Sequence, residues 1–202
     1  MAFIGENTLY PIVNGESIPR LHLDGAASPL AASKAVETIN ALLPHYSNSH
    51  SYVHNSAKIS TEAFTWAHNT ILESTNADIA DYTAIFIGSG TTAASNRLAR
   101  GLNDARKDKQ VVMISSMEHH ANDLPHRSQN NTVLHLPLKP SSNKDDLSSL
   151  GAIDLDKFKE LCETHSQNIN YIAVSSVSNV TGIGNPIKEL VKIAHQLSLI
   201  HI

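Results

Sequence analysis

Three short apolar runs in this chain each end at a polar turn, and this arrangement limits the folds that the chain can adopt. The runs cover residues 84–87, 111–114 and 171–174, and the turns after them cover residues 88–92, 117–122 and 177–182. Short apolar runs separated by helix-length segments predict the parallel sheet of an α/β fold. Such sheets bind ligands beyond the carboxyl ends of their strands. The three turns are therefore candidates for one common ligand site.

The rest of the chain continues this alternation of strands and helices. Further strands are predicted at residues 21–23, 132–136 and 199–202, and helices at residues 29–43, 60–74, 91–102, 154–165 and 186–196. Asp154 is the predicted N-cap of its helix. Residues 1–20 carry Pro11, Gly15 and Pro19 and are predicted to form an N-terminal arm. We expect residues 21–202 to belong to one domain with a largely parallel sheet.

Composition excludes several classes of function. The 202-residue chain has a formal net charge of −4, so no broad basic surface indicates a nucleic-acid partner. Cys162 is the only cysteine, which rules out an internal disulfide and a cysteine metal cluster. The N-terminus does not resemble a secretory signal, and no apolar stretch reaches the roughly 18 residues of a membrane span. The sequence therefore predicts a soluble, cytoplasmic protein that does not act in a membrane.

The first turn, Gly88-Ser89-Gly90-Thr91-Thr92, lies where a strand is predicted to lead into a helix. Glycine permits close backbone approach, and the first N–H groups of a helix have no partner within it. Together with the threonine hydroxyls, these groups can hold an anion such as a phosphate. A glycine turn with threonine caps explains the same residues equally well. The segment is not a P-loop, because no Gly-Lys-Ser/Thr follows it.

The second and third turns carry the other candidate side chains. His119 can stack on a flat heterocycle or move a proton near neutral pH, although a structural histidine is the simpler interpretation. His119 and His120 are neighbours that face opposite ways on an extended chain, so they predict no metal site. Asn179 can hydrogen-bond a ligand oxygen, but asparagine is also a common turn residue. Cys162, on a helix face shared with Phe158, is interpreted as core packing in preference to a nucleophile.

Eight segments follow one another in the order of a known set of motifs. They are Leu23-Asp24-Gly25-Ala26-Ala27-Ser28-Pro29, Asn48-Ser49-His50-Ser51-Tyr52-Val53-His54, Gly90-Thr91-Thr92, Met117-Glu118-His119-His120-Ala121-Asn122 with Pro125, Ile153-Asp154-Leu155, Val177-Ser178-Asn179-Val180-Thr181-Gly182, Asn185-Pro186-Ile187 and Ala194-His195. Together they resemble the class V aminotransferase family of pyridoxal-phosphate enzymes, and its cysteine desulfurase branch in particular. Gly25, Ser51 and Ala93 depart from the usual Asn, Arg and Glu of that family, which leaves the subfamily and the substrate open.

The resemblance implies a fold and a cofactor. The fold would be the large domain of fold type I, a three-layer α/β/α arrangement around a mainly parallel sheet, incomplete at the C-terminus of this chain. The cofactor would be pyridoxal 5'-phosphate, with its phosphate held by Gly90, Thr91 and Thr92. His119 would stack on the pyridine ring and assist proton transfers as the catalytic residue. Asn179 would bond the ring oxygen.

The resemblance also implies a substrate and a partner. The substrate would be a small-molecule amino acid, approached by Ala26 and Ala27, with His54 at the mouth of the pocket. The full-length protein would be a homodimer. The Schiff-base Lys of the family, its pyridinium-binding Asp and the desulfurase Cys would all lie beyond Ile202. Residues 21–202 are therefore expected to be the N-terminal portion of the large domain, and inactive alone.

Two other functions are compatible with parts of the sequence. The chain would be a non-enzymatic module if the turn at residues 90–92 bound a phosphorylated ligand, or if an edge strand at residues 199–202 paired with a partner chain. A metal-dependent hydrolase would use Glu118, His119 and His120. The adjacency of these three residues and the absence of a third spaced ligand in the sequence argue against that hydrolase.

Overall fold

The computed structural model describes residues 2–127, 131–140 and 150–197, and its contacts divide the chain into two compact units, Met1–Phe86 and Ile87–Ile202. The strand predicted at residues 199–202 lies outside the described residues. The boundary predicted at residue 20 falls inside the first unit, and it stays a prediction.

The regular elements alternate along the chain much as the sequence pattern predicts. They are β1 Leu9–Pro11, β2 Ser17–Pro19, α1 Ser33–Leu42, α2 Asn55–Ser74, α3 Gly90–Ala105, β3 Val111–Ser115, α4 Leu124–Arg127, β4 Thr132–Leu136, β5 Leu138–Lys139, β6 Ala152–Ile153, α5 Leu155–His165, β7 Ile169–Ala173 and α6 Ile187–Gln196. Short 3₁₀ turns cover Leu43–His45 and His120–Asn122.

The first unit contains a hairpin and two helices. β1 and β2 pair antiparallel, so the predicted arm holds a small sheet of its own. The long helix α2 buries only Ala57, Thr61 and Leu72, and α1 buries no residue. Much apolar surface of this unit remains exposed, and Trp66, for example, is 64% exposed.

Two predicted strands are absent from the described structure. Residues 21–23 and 84–87 form no strand. Leu23 is 83% exposed and Ile85 is 74% exposed, so neither run is covered. Both predictions are wrong because an apolar run becomes a strand only where a neighbouring strand accepts and donates its backbone hydrogen bonds.

The second unit is built around a parallel sheet in the order β4-β3-β7. All five residues of β3 are buried, as expected for a parallel strand that is covered on both faces. Because side chains alternate between the faces of a strand, Val111 and Met113 pack in a cluster with α5 and α6, whereas Val112 and Ile114 pack on the other face with Leu102 of α3. Helices therefore cover both faces, which makes a three-layer α/β/α arrangement.

Two helix starts show how side chains set element boundaries. The Asp154 carboxylate accepts hydrogen bonds from the backbone N–H groups of Asp156 at 3.0 Å and Lys157 at 3.1 Å, which confirms the predicted N-cap of α5. Helix α2 begins at Asn55 and not at residue 60, because the His54 ring accepts a hydrogen bond from the Ala57 N–H at 3.2 Å. Histidine is not a common N-cap residue, so the sequence pattern did not indicate this start.

Candidate functional site

The carboxyl ends of β3 and β7 lie side by side, and the predicted second and third turns are joined there. The backbone N–H of Ser175 donates to Glu118 Oε1 at 2.7 Å, and the Ser175 hydroxyl donates to Glu118 Oε2 at 2.5 Å. The Asn185 amide donates to the Ser175 carbonyl at 2.8 Å and approaches Met117 Sδ at 3.2 Å. The turn that carries His119 and the chain that leads to Asn179 are therefore held together.

The helix that follows the first predicted turn lies in the same part of the second unit. Helix α3 packs against the 3₁₀ turn His120–Asn122 and against α4. The helix that the first turn precedes is thus a neighbour of the second turn, and the second turn is joined through Glu118 and Ser175 to the segment that leads to the third. Within residues 87–127, 131–140 and 150–197, no hydrogen bond or ring contact directly joins the side chains of Thr91, His119 and Asn179.

The first turn has the backbone geometry of an anion site. Ser89 and Gly90 have φ values of 66° and 65°, and Ser89 is the N-cap of α3 without a side-chain hydrogen bond to the helix. A Cβ atom at Gly88 or Gly90 would meet no atom within 4 Å, and Thr91 and Thr92 are exposed. Uncapped N–H groups, two hydroxyls and adjoining open space form a donor set that fits a phosphate group.

His119 lies on the surface with its ring orientation restrained. Its Nδ1 accepts a hydrogen bond from the Ala121 N–H at 3.0 Å, and its carbonyl accepts from the Asn122 N–H at 2.8 Å. An Nδ1 that accepts leaves Nε2 to carry the proton of the neutral ring. The His120 ring is 6.3 Å away at 53°, so the two imidazoles are not parallel. The neutral His119 ring therefore has its N–H at Nε2, and its roles in stacking and proton transfer stay predictions.

Asn179 lies in a tight turn that is braced by the buried Ser178. The Ser178 hydroxyl accepts from the N–H groups of Val180 at 3.3 Å and Thr181 at 3.2 Å. Its backbone N–H donates to the Ile183 carbonyl at 2.9 Å. Asn179 itself is exposed. The turn fixes the backbone on both sides of Asn179 and leaves this residue at the surface. The turn interpretation is confirmed, and the role of Asn179 towards a ligand stays a prediction.

The predicted substrate residues lie in the first unit. Ala26 and Ala27 are exposed in a turn, and His54 is the N-cap of α2 through its Nδ1. Their substrate roles stay predictions.

A row of buried, hydrogen-bonded polar side chains lies behind the second turn, and it was not identified from the sequence. His126 is 2% exposed, and its Nδ1 lies 2.7 Å from Tyr171 Oη while its Nε2 lies 3.3 Å from Asn122 Oδ1. Burial lowers the pKa of His126 and raises the pKa of Tyr171 to about 12, because a charged ring loses its hydration inside the protein. The sequence offers one indication of these hydrogen-bonded side chains, which is the acidic residue Glu118 shortly after a fully buried strand.

Cys162 lies on α5 with its side chain fully buried in the core, and burial raises the pKa of its thiol to about 12. Inert, buried cysteines have this character, so the core interpretation of Cys162 is confirmed. Among the residues that the structure describes, no group of three or more His, Cys, Asp or Glu side chains is placed to hold a metal ion.

Within residues 2–127, 131–140 and 150–197, none of the helices has the length and apolar character that a membrane span requires.

Comparisons with known proteins agree on one family. Residues 21–202 match the family described as Aminotransferase class-V. A probable cysteine desulfurase of Halalkalibacterium halodurans is 31% identical over 199 residues, which cover 93% of this chain and 45% of that protein. The chain therefore spans about half the length of the curated relatives it matches.

Solved structures agree with the fold. The apo structure of a cysteine desulfurase from Thermococcus onnurineus NA1 matches with a TM-score of 0.71 at 21% identity, over 88% of this chain and 42% of that one. A structure described as SspA in complex with cysteine matches with a TM-score of 0.73 at 21% identity, over 90% of this chain and 49% of that one. These matches confirm the predicted α/β fold with its parallel sheet.

Proposed function

Since this chain belongs to the aminotransferase class-V family, we propose that its second unit binds pyridoxal 5'-phosphate in an enzyme that acts on the sulfur of an amino acid such as cysteine. The desulfurase name of the Halalkalibacterium halodurans relative supports this activity, and the cysteine in the SspA structure supports this substrate. The observation that carries the proposal is the uncapped start of α3, where left-handed Ser89 and Gly90 precede two exposed threonines. A homodimer is part of the same proposal.

Each residue of the site has a separate chemical task. The bound cofactor supplies an electron sink for the reaction of the amino acid. The first N–H groups of α3 and the hydroxyls of Thr91 and Thr92 donate to the phosphate oxygens, and the helix dipole adds about 0.3–1 kcal/mol. The His119 ring stacks on the pyridine face and holds a proton at Nε2. The Asn179 amide donates a hydrogen bond to the ring oxygen.

Binding to the purified chain tests the phosphate site without any activity assay. We expect pyridoxal 5'-phosphate to bind at least about tenfold more tightly than pyridoxal, because hydrogen bonds to a charged group contribute about 1.5–3 kcal/mol each. Thr91→Val and Thr92→Val should each weaken binding of the phosphorylated compound by about tenfold. Isothermal titration or ligand fluorescence measures both effects.

Thr164→Val is the matched control, because Thr164 is an exposed threonine on α5 whose hydroxyl donates only within its own helix. It should leave binding unchanged. Equal affinity of the chain for pyridoxal and its phosphate would contradict the proposed function.

A further inference from the structure

The carboxylate of Glu118 accepts four hydrogen bonds from three parts of the second unit. At Oε1 it accepts from the Ser115 hydroxyl at 2.5 Å and from the Ser175 N–H at 2.7 Å. At Oε2 it accepts from the Ser175 hydroxyl at 2.5 Å and from the Asn122 amide at 2.8 Å. An ionised carboxylate accepts at about four positions and donates at none, so these four donors match its capacity.

The Glu118 carboxylate sets which groups donate and which accept hydrogen bonds along the row of side chains Asn122, His126 and Tyr171. Because Asn122 Nδ2 donates to Glu118, its Oδ1 is left to accept, and the group opposite it is His126 Nε2 at 3.3 Å. The proton of neutral His126 then belongs on Nε2. Its Nδ1 must accept, and the Tyr171 hydroxyl at 2.7 Å is the donor.

The same contact closes the turn that carries His119. The Asn122 side chain reaches back to Glu118 across the three intervening residues, and the Asn122 N–H donates to the His119 carbonyl at 2.8 Å. The Ala121 N–H in that closed turn fixes His119 Nδ1 as an acceptor.

We propose that Glu118 is a positioning residue, which sets the Nε2–H tautomer of His126 through Asn122 and holds the turn that orients the His119 ring. The part that concerns His119 rests on the proposed function, whereas the part that concerns His126 does not. The geometry of four donors on one acceptor-only group carries the proposal.

Glu118→Gln tests whether Glu118 sets the donor and acceptor roles along this row of side chains. Glu118 Oε1 faces the backbone N–H of Ser175, which can only donate, so the oxygen of the new amide must stay there and its nitrogen takes the Oε2 position beside Asn122. Because the new amide nitrogen faces Asn122, the Asn122 amide must flip to offer its oxygen. His126 Nε2 then meets an N–H donor and must accept, so its proton moves to Nδ1 and Tyr171 Oη accepts.

The tautomer is measured by the ¹⁵N chemical shifts of the His126 ring in the labelled 202-residue chain. We expect the Nε2–H tautomer in the wild type and the Nδ1–H tautomer in E118Q. Glu163→Gln, an exposed change on α5, should leave the wild-type tautomer. A wild type in the Nδ1–H form, or a folded E118Q that keeps the Nε2–H form, would overturn the proposal.

Tyr171→Phe keeps the test decisive if E118Q does not fold. It removes the donor at the other end of the row and leaves Glu118 and Asn122 in place. The proposal expects His126 to remain in the Nε2–H form in Y171F. A change of tautomer in that variant would show that Tyr171 sets the donor and acceptor roles along the row, and would overturn the role of Glu118.

The His119 part is tested by combining E118Q with His119→Ala and measuring the affinity for pyridoxal 5'-phosphate. We expect E118Q to weaken binding severalfold when His119 is present and by less than twofold when it is absent. Equal losses in both backgrounds would overturn the His119 part. If the chain fails to distinguish pyridoxal from its phosphate while the tautomer switches, the proposed function fails and the role of Glu118 towards His126 stands.

Discussion

His126 is a buried imidazole whose surroundings favour its neutral form. Burial lowers its pKa most, while the Asn122 backbone and the charges of Asp123 and Glu118 act in the opposite direction, and the Tyr171 hydroxyl completes its surroundings. The unfolded chain therefore takes up a proton at this residue at a higher pH than the folded chain.

This order of protonation predicts a pH dependence of stability. The contribution of His126 to the free energy of unfolding should be complete above its ordinary pKa of 6.5 and should be lost as the pH falls below that value. Urea unfolding of the chain at pH 7.5, 6.5 and 5.5 measures it.

The matched variant for this prediction is His126→Gln, which cannot titrate. Its free energy of unfolding should change less between pH 7.5 and 5.5 than that of the wild type. The pKa of Asp123 is lowered chiefly by its hydrogen bond with Arg127. Its contribution to the free energy of unfolding is therefore lost only at lower pH and does not affect this comparison. The same pH slope in both proteins would contradict the assignment to His126.

His119 and His120 form a natural pair for a stacking experiment. His119→Ala should weaken binding of pyridoxal 5'-phosphate by about threefold to tenfold, because ring stacking contributes about 0.5–1.5 kcal/mol. His120→Ala should have little effect, since the proposal gives no cofactor contact to His120. Titration of the two variants side by side measures this, and a larger loss in His120→Ala would reverse the assignment.

Cys162 provides a test of burial at a single residue. Its thiol is fully buried with a pKa raised to about 12, so the reactive thiolate is scarce and inaccessible in the folded chain. We expect a thiol reagent at pH 8 to label the native chain on the order of a hundredfold more slowly than the urea-unfolded chain. Similar rates in both states would mean that Cys162 lies at an accessible, reactive position.

At the scale of elements, the start of α5 depends on one side chain. Asp154→Ala removes both acceptor contacts to Asp156 and Lys157 and should lower the free energy of unfolding by about 1 kcal/mol. Asp154→Asn keeps a capping oxygen and should lose only a small part of this. Urea unfolding compares the three chains, and an unchanged stability of Asp154→Ala would show that this cap does not stabilise the folded state.

The elements that the sequence predicted well are those with a local cause. β3 is a continuous apolar run, and α5 has a capping aspartate, so neighbours in sequence are sufficient to indicate both. Residues 84–87 also form an apolar run, yet they form no strand. A strand needs a second strand beside it, and this condition concerns residues far away in sequence. The sequence did not predict the His54 cap, because histidine is not a usual N-cap residue and caps α2 only through the position of its ring nitrogen.

At the scale of the whole molecule, the two units differ in how much they bury. Helix α2 of the first unit buries three residues, whereas all five residues of β3 in the second unit are buried. Local opening is easier where few apolar contacts must be broken. We therefore expect the amides of α2 to exchange with deuterium at least about tenfold faster than those of β3.

Hydrogen exchange followed by mass spectrometry measures this difference on the intact chain. Peptides from residues 55–74 should gain deuterium before peptides from residues 111–115. Equal protection in both segments would show that the chain opens as one cooperative unit, contrary to the division at Phe86.

The sequence by itself determined the α/β alternation, the buried central strand, the N-cap at Asp154 and the motifs that place the chain in its family. Each of these is local, because periodicity, capping and motif order are properties of neighbouring residues. Only the tertiary structure decided that Glu118 meets Ser175 and that His126 meets Tyr171. These residues are 57 and 45 positions apart in sequence, and only the pairing of β3 with β7 and the packing of α4 bring such distant side chains within hydrogen-bond distance.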